Sequence, residues 1–292
     1  MPRARANGIV LEYETFGDPE TPPLLLIMGL GAQMTTWDDE FCAQLANRGF
    51  HVIRYDNRDV GLSTWMEDAG YPDMASAFSG DPQAAYTLDD MAGDAAELLD
   101  SLDIRAAHIV GASMGGFIAQ LVAINHPERV LSLTSIMSGP GGHDEVAPKP
   151  EGAAILMVSP PDSREEQIEQ AMSFRRVLLG SRDPFDEAHE RARATRSIDR
   201  AYYPPGVGRQ LLAVLAAKSR VERLKEVRVP TLVIHGVDDV LVPVENGRLV
   251  AAAVPGARLI EVEGMGHDLP RRVWPQVLDA IVEVAGAPLQ GR

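Results

Sequence analysis

The sequence predicts an α/β protein: a mostly parallel, doubly wound β-sheet with helices on both faces and an inserted helical cap, or lid. Three observations predict this fold class. Short β-rich apolar runs alternate with longer helical patterns, as in doubly wound sheets. Most runs lack polar alternation, as expected for strands that are buried on both faces. Strand signals stop between residues 140 and 225, where the pattern is helical and charged.

The sheet is predicted to begin with an antiparallel edge hairpin in "GIVLEYETFGD", which starts at Gly8. Six further strands are predicted from short apolar runs. They are "LLLIMG" from Leu24, "HVIRYD" from His51, "AHIVGA" from Ala107, "LSLTSIM" from Leu131, "TLVIHG" from Thr231 and "RLIEVEG" from Arg258.

Helices are predicted between these strands. In "TLDDMAGDAAELLDSLD", Thr87 can cap the helix and Asp90 follows three residues later, close to a capping box. Another helix, "MGGFIAQLVAINHP", ends at Pro127. The Gly- and Pro-rich stretch after Ser138 marks the start of the inserted part. We therefore predict a core of residues 1–139 and 226–292, with residues 140–225 as a helical cap.

Composition excludes several classes of protein. The chain has 292 residues, enough for one large core. Its net charge of -15, without a run of Lys or Arg, argues against a nucleic-acid partner. The one cysteine, Cys42, excludes an intrachain disulfide and is predicted to pack in the core. We predict no metal site and no cofactor.

Targeting signals are not found in the sequence. The start "MPRARANGIVLEY" is basic without an apolar stretch behind it, unlike a secretory signal. The longest apolar runs, such as "LLLIMGLGA", are too short to span a membrane. We therefore predict a cytoplasmic protein with no membrane span.

A candidate nucleophile, Ser113, lies in Gly111-Ala112-Ser113-Met114-Gly115, which matches G-x-S-x-G. The motif follows a predicted strand and opens a predicted helix, the context of a nucleophile elbow. Small residues are needed at Gly111 and Gly115 because the chain turns tightly. A plain Ser/Gly turn that caps a helix is the alternative interpretation.

A serine nucleophile needs a base, and the base needs an orienting carboxylate. His267 is the candidate base because it lies in the loop "VEGMGHDLP", directly after the last predicted strand. Asp238 and Asp239 follow the preceding strand in "TLVIHGVDDVLVP", and either could instead form a turn. Asp144, after the strand before that, is a further candidate.

An acyl-transfer intermediate also needs donors for its oxyanion. We predict the amide of Met114, next to the nucleophile, as one donor. The glycine-rich "GLGAQM" from Gly29 predicts the amide of Leu30 as the other.

With these residues in place, the chain resembles the α/β-hydrolase superfamily over nearly its whole length outside the cap. "GASMGG", "HGVDDVLVP" and "GMGHDLP" match the nucleophile, acid and histidine segments in order and spacing. Together with "IRYDNRDVGLS", they are similar to the branch of the aclacinomycin methylesterases, which cleave a methyl ester from polyketide glycosides. The resemblance implies the α/β-hydrolase fold and selects Asp239 over Asp238 as the acid. It departs at Met28, where many relatives have His, and at Asp59, where Gly is more usual.

The resemblance implies a serine hydrolase that cleaves a small-molecule carboxylic ester through an acyl-enzyme. The substrate would be an apolar ester, such as a methyl ester of a polyketide. Two alternatives use the same triad: a carbon–carbon bond hydrolase and a cofactor-free haloperoxidase or perhydrolase. A non-catalytic small-molecule-binding protein is an alternative from another class.

Overall fold

The fold is described from a computed structural model for residues 2–78 and 80–286. These residues form an eight-stranded sheet in the order β1-β2-β4-β3-β5-β6-β7-β8. Its strands are β1 (Arg3–Ala6), β2 (Ile9–Phe16), β3 (Pro23–Ile27), β4 (His51–Tyr55), β5 (Ala107–Ala112), β6 (Val130–Ile136), β7 (Thr231–Gly236) and β8 (Arg258–Val262). The pairs β1/β2 and β2/β4 are antiparallel, and all other pairs are parallel.

The predicted hairpin within "GIVLEYETFGD" is wrong in its position. That segment contains the single strand β2, which pairs with β1 on its N-terminal side. The turn lies at Asn7 and Gly8, whose φ angles are 49° and 78°. An Asn-Gly pair adopts these positive φ angles readily, and the resulting two-residue turn matches the twist of a hairpin. The Asn-Gly signal in the sequence indicated this position.

Ten helices lie within the described residues. They are α1 (Asp39–Ala46), α2 (Leu88–Ser101), α3 (Met114–Asn125), α4 (Pro150–Leu156), α5 (Arg164–Leu178), α6 (Glu187–Arg200), α7 (Pro204–Leu215), α8 (Val221–Leu224), α9 (Val244–Ala253) and α10 (Trp274–Gly286). The predicted capping box of α2 is present: Thr87 accepts from the amide of Asp90, and the Asp90 side chain accepts from the amide of Thr87.

The hydrophobic core has two layers, one on each face of the sheet. On β3, Leu25 and Ile27 pack with α2 and α3, whereas Leu24 and Leu26 pack with α1 and α10. All four side chains are fully buried, and burial of one such chain contributes about 1.5 to 3 kcal/mol. Because both faces of the strand are covered, its sequence shows no polar alternation.

The chain between β6 and β7 carries α4 to α8 and no strand. We refer to residues 140–225 as the helical segment. Helices α5 and α6 pack on each other through Ile168, Met172 and Ala194. Across the described residues, no helix is both long and apolar enough to cross a membrane.

Candidate active site

The turn between β5 and α3 raises Ser113 above the carboxyl end of the sheet. Ser113 has a φ of 56°, a left-handed conformation that costs free energy for any residue other than glycine. Its amide donates to the carbonyl of Ile136 at 2.9 Å. A Cβ atom on Gly111 would lie 2.0 Å from the carbonyl oxygen of Gly115, so the turn requires glycine there. The predicted strand, sharp turn and helix are all present.

The imidazole of His267 connects the serine to a carboxylate. Its Nε2 lies 2.9 Å from Ser113 Oγ, and its Nδ1 lies 2.7 Å from Asp239 Oδ2. His267 enters from the loop after β8, and Asp239 from the loop after β7. When Nδ1 carries the proton and donates to Asp239, Nε2 is free to accept the proton of Ser113. This tautomer is the one that a general base requires.

Asp239 is fully buried and fully hydrogen bonded. Its Oδ1 accepts from the amides of Leu241 at 2.9 Å and Val242 at 2.8 Å. Burial alone would raise the pKa of Asp239, but the imidazole charge of His267 and hydrogen bonds from His235 and His267 outweigh it. The pKa of Asp239 is therefore well below its usual range, and the carboxylate stays ionised at the pH values where imidazole titrates.

The other two candidate carboxylates lie elsewhere. Asp238 Oδ2 accepts from the amide of Ser181 at 2.9 Å. Hydrogen bonds from Ser181 lower the pKa of Asp238. Asp144 accepts from the Ser219 hydroxyl and lies beside His143. The structure therefore brings together Ser113, Asp239 and His267, the three residues selected from the motifs.

The two amides predicted to bind an oxyanion, those of Leu30 and Met114, belong to segments that border Ser113. Met114 is the first residue of α3, and the first amides of a helix have no acceptor within it. The loop after β3 crosses close to the serine, since a Cβ atom on Gly29 would lie 2.9 Å from Ser113 Cβ. Within this loop, the amide of Gly31 donates to Gln210 Oε1 at 2.8 Å. Because the amide of Gly31 is occupied, the amide of Leu30 remains the predicted donor of this loop.

A second histidine, His235, lies beside the carboxylate of Asp239. His235, at the end of β7, is fully buried, and its Nε2 lies 2.7 Å from the carbonyl of Val242 and 3.5 Å from Asp239 Oδ2. Its Nδ1 has no partner among the described residues. The sequence alone predicts no contact between His235 and Asp239. The spacing of four residues to Asp239 was visible, but a strand that is buried on both faces gives no pattern that sets one side chain apart.

The helical segment is tied to the loops around Ser113. Gln210 of α7 accepts from Gly31 and donates to the carbonyl of Arg58 at 2.7 Å. Arg209 of α7 binds Asp59 with two hydrogen bonds of 2.8 Å each. Asp59 has a φ of 68°, which glycine adopts more easily, and its carboxylate also accepts from the Tyr86 hydroxyl.

The hydrogen bonds of the Asp59 carboxylate to Arg209 anchor the helical segment, and they offset the free-energy cost of the positive φ angle at Asp59. Its hydrogen bond to Arg209 raises the pKa of that guanidinium.

Comparison with known proteins identifies the family. Residues 22–270 match the family of the alpha/beta hydrolase fold. The chain is 34% identical to rhodomycin D methylesterase DnrP of Streptomyces peucetius, with 94% of each chain covered. This likeness confirms the resemblance to the aclacinomycin methylesterase-like branch.

Solved structures share the fold. A meta-cleavage product hydrolase from Pseudomonas fluorescens is similar with a TM-score of 0.77 and 21% identity, over 97% of each chain. An enol-lactonase from Burkholderia xenovorans has a TM-score of 0.76 and 23% identity, over 98% of this chain and 100% of its own. The predicted fold class is confirmed by these matches together with the sequence family, and the chain belongs to the α/β-hydrolase fold family as a carboxylic ester hydrolase.

Proposed function

We propose that Ser113, His267 and Asp239 form the catalytic triad of a serine carboxylesterase that works through an acyl-enzyme. The observation that carries this proposal is the position of His267, whose two ring nitrogens contact Ser113 Oγ at 2.9 Å and Asp239 Oδ2 at 2.7 Å. Side chains of this kind in this arrangement turn a poorly nucleophilic hydroxyl into a reactive one.

In the acylation step, Ser113 Oγ attacks the carbonyl carbon of the ester while His267 Nε2 takes the hydroxyl proton. The carbonyl oxygen gains negative charge and is bound by the amides of Leu30 and Met114. When the tetrahedral intermediate collapses, the bond from carbon to the alkoxy oxygen breaks, and His267 gives its proton to the leaving alcohol. Asp239 stays ionised and stabilises the imidazolium.

In the deacylation step, water replaces the alcohol. His267 Nε2 takes a proton from water as the water oxygen bonds to the acyl carbon. The bond from that carbon to Ser113 Oγ then breaks, and Oγ receives the proton from His267. The products are the carboxylic acid and the free enzyme.

We also propose that residues 140–225 form a cap over the site, with residues 1–139 and 226–292 as the core. The contacts of Gln210 with Gly31 and of Arg209 with Asp59 support this division, since they join the helical segment to loops of the core. Val207 of α7 also packs on Gly31, since a Cβ atom there would lie 3.1 Å from its methyl groups. Separately, we propose that the protein is cytoplasmic, as predicted from the sequence.

The substrate we propose is the methyl ester of an apolar acid. Two features support it: the 34% identity to rhodomycin D methylesterase, and the apolar side chain of Val207, which packs on Gly31 in the loop that passes the serine. The alcohol leaving group would be small, and the acyl part large.

A labelling experiment tests the nucleophile. A fluorophosphonate probe should modify the wild-type protein once, at Ser113, and should leave Ser113→Ala unmodified. Ser113→Ala should also lower kcat about a million-fold with KM nearly unchanged, because the hydroxyl forms bonds only along the reaction path. Ser138→Ala is a matched control, since Ser138 Oγ donates to the Ser113 carbonyl and lies outside the proposed triad. If Ser113→Ala keeps a few per cent of the wild-type rate, the nucleophile is another residue.

A substrate panel tests the ester class. We expect aromatic and other bulky methyl esters to have a higher kcat/KM than p-nitrophenyl esters of rising acyl chain length. A vinylogous 1,5-diketone probes carbon–carbon cleavage on the same triad, and a halogenation assay with peroxide and acetate probes perhydrolysis. A kcat/KM for either of these above that for every ester would contradict the proposed function.

A further inference from the structure

An ion pair joins the helical segment to the residue that follows the proposed base. Asp268 comes directly after His267, and both of its carboxylate oxygens are bound by the guanidinium of Arg175 on α5. Arg175 Nη2 donates to Asp268 Oδ2 at 2.5 Å, and Nη1 contacts Oδ1. The two side chains are 16% and 8% exposed, so water screens the pair only weakly.

Two more charges complete a compact quartet. Arg175 Nε lies 3.1 Å from Glu190 Oε1, and Arg193 Nη1 lies 3.5 Å from Glu190 Oε2. Although burial alone would lower it, the pKa of Arg175 is raised by the carboxylates of Asp268 and Glu190. The quartet has two positive and two negative side chains, and its net charge is zero.

The backbone of the helical segment also packs directly on the loop of His267. A Cβ atom on Gly266 would lie 2.2 Å from the carbonyl oxygen of Leu178, at the end of α5. A Cβ atom on Gly180 would lie 2.1 Å from the carbonyl oxygen of Gly264. The loop before His267 therefore has no room to move toward α5, and the ion pair holds the residue after it.

We propose that Arg175 is a positioning residue for His267. It fixes the loop of His267 to the helical segment through Asp268, and it neutralises a buried carboxylate that is adjacent to His267 in the sequence. This inference rests on the proposed triad. Because Asp268 is adjacent to the base, its charge acts on the equilibrium between imidazole and imidazolium, and Arg175 cancels that action.

The other charged groups around the base are the same in every variant of the test. Asp239 faces His267 from the loop after β7, with His235 behind it. Arg272 binds Asp183 at the outer side of the same loop, and Asp238 binds the amide of Ser181. The variants therefore differ from the wild type in charge only within the quartet.

The test is the pH profile of kcat/KM on p-nitrophenyl acetate for four variants. Arg175→Gln leaves the quartet with one net negative charge, which favours imidazolium, so the midpoint of the acid limb should rise. Asp268→Asn leaves one net positive charge, so the midpoint should fall. A unit charge about 10 Å from a titrating group, at an effective dielectric constant of about 20 to 40, shifts its titration by about 0.6 to 1.2 pH units.

The double variant Arg175→Gln/Asp268→Asn separates charge from position. It restores a net charge of zero, so its midpoint should return to that of the wild type. Its plateau rate should stay about tenfold to a hundredfold lower, because a loosened loop misplaces the base. Glu190→Gln is the matched control: it removes the other carboxylate of the quartet, which contacts Arg175 and is not adjacent to His267, and it should shift the midpoint less than Asp268→Asn does.

Midpoint shifts of the same sign for Arg175→Gln and Asp268→Asn would overturn the proposal, and so would unshifted midpoints in both. Should Arg175→Gln fail to fold, Asp268→Asn against Glu190→Gln decides alone, and equal midpoints in that pair would refute it. Ser113→Ala is measured in parallel. If it keeps activity, the proposed triad is wrong; if it is inactive and the midpoints do not move, only the role of Arg175 is wrong.

Discussion

Replacement of Asp239 by asparagine tests how the acid acts on the base. The variant keeps the size of the side chain and removes its charge. In the wild type, Oδ1 accepts from the amides of Leu241 and Val242, and Oδ2 faces His267 Nδ1 at 2.7 Å. Because an amide group has only one oxygen, that oxygen must stay with the two backbone amides. The NH2 group of the substituted side chain then points at His267.

A donor in that place selects the wrong tautomer of His267. Nδ1 would accept from the amide, so the proton would lie on Nε2, which faces Ser113 Oγ at 2.9 Å. An imidazole with that proton cannot take another from the hydroxyl. We expect kcat/KM to fall about ten-thousand-fold, which corresponds to about 5.4 kcal/mol in the barrier, by analogy with the same substitution in a well-studied triad.

The assay is kcat/KM for p-nitrophenyl acetate at a pH on the plateau, with thermal unfolding as the check on folding. Asp238→Asn is the matched control, since Asp238 is adjacent in sequence and its carboxylate binds Ser181 instead of His267. That control should stay within a few-fold of the wild type. A loss of less than a hundredfold for Asp239→Asn, or a larger loss for Asp144→Asn, would refute the assignment of the acid.

Three further predictions concern pH and stability. Since the pKa of Asp239 is held well below its usual range, Asp239 should not contribute to the acid limb, so kcat/KM should rise along a single titration and reach a plateau at neutral to alkaline pH; an optimum near pH 4 to 5 would exclude His267 as the base. Burial lowers the pKa of His108 to about 4, so the unfolded chain binds a proton that the folded chain excludes, and the free energy of unfolding should fall by up to about 3 kcal/mol from pH 6.5 to pH 4. His108→Gln should reduce that fall in urea unfolding measured across this range, and an unchanged slope would contradict the assignment. Arg209→Met should lower the free energy of unfolding by about 3 kcal/mol, because it leaves the buried carboxylate of Asp59 without its cation; a loss below 1 kcal/mol in the same assay would show that the Tyr86 hydroxyl and the Met66 amide suffice.

The sequence predicts the layers of this fold well because a strand that is buried on both faces has a continuous run of apolar residues. The run "LLLIMG" is apolar on both faces, and β3 is covered on both faces. Ser113 and His267 could also be predicted, since each directly follows a strand and the carboxyl ends of parallel strands meet at one edge, whereas the choice of Asp239 over Asp238 needed the resemblance to a family. The structure brings these residues into contact.

The strand order and the long-range ion pairs have no recognisable pattern in the local sequence. The order of the strands depends on which helix crosses which face, and nothing in β3 itself shows that it lies between β4 and β5. The pairs Arg175–Asp268 and Arg209–Asp59 join residues far apart in the chain. In the sequence, nothing sets Arg175, Arg209 or Asp268 apart from an ordinary surface charge, and only the fold shows that each is largely buried and paired.

The hydrogen bond from Gly31 to Gln210 has a consequence for the order of events in a turnover. Under the proposed mechanism, the amide of Leu30 can bind the oxyanion only while Gln210 of α7 accepts a hydrogen bond from the amide of Gly31. If α7 swings away to admit or release a bulky molecule, the oxyanion loop loses that restraint. Entry and chemistry would then alternate: the enzyme would be a poor catalyst while α7 is displaced, and the acyl-enzyme would react with water only after α7 has returned to its contact with Gly31.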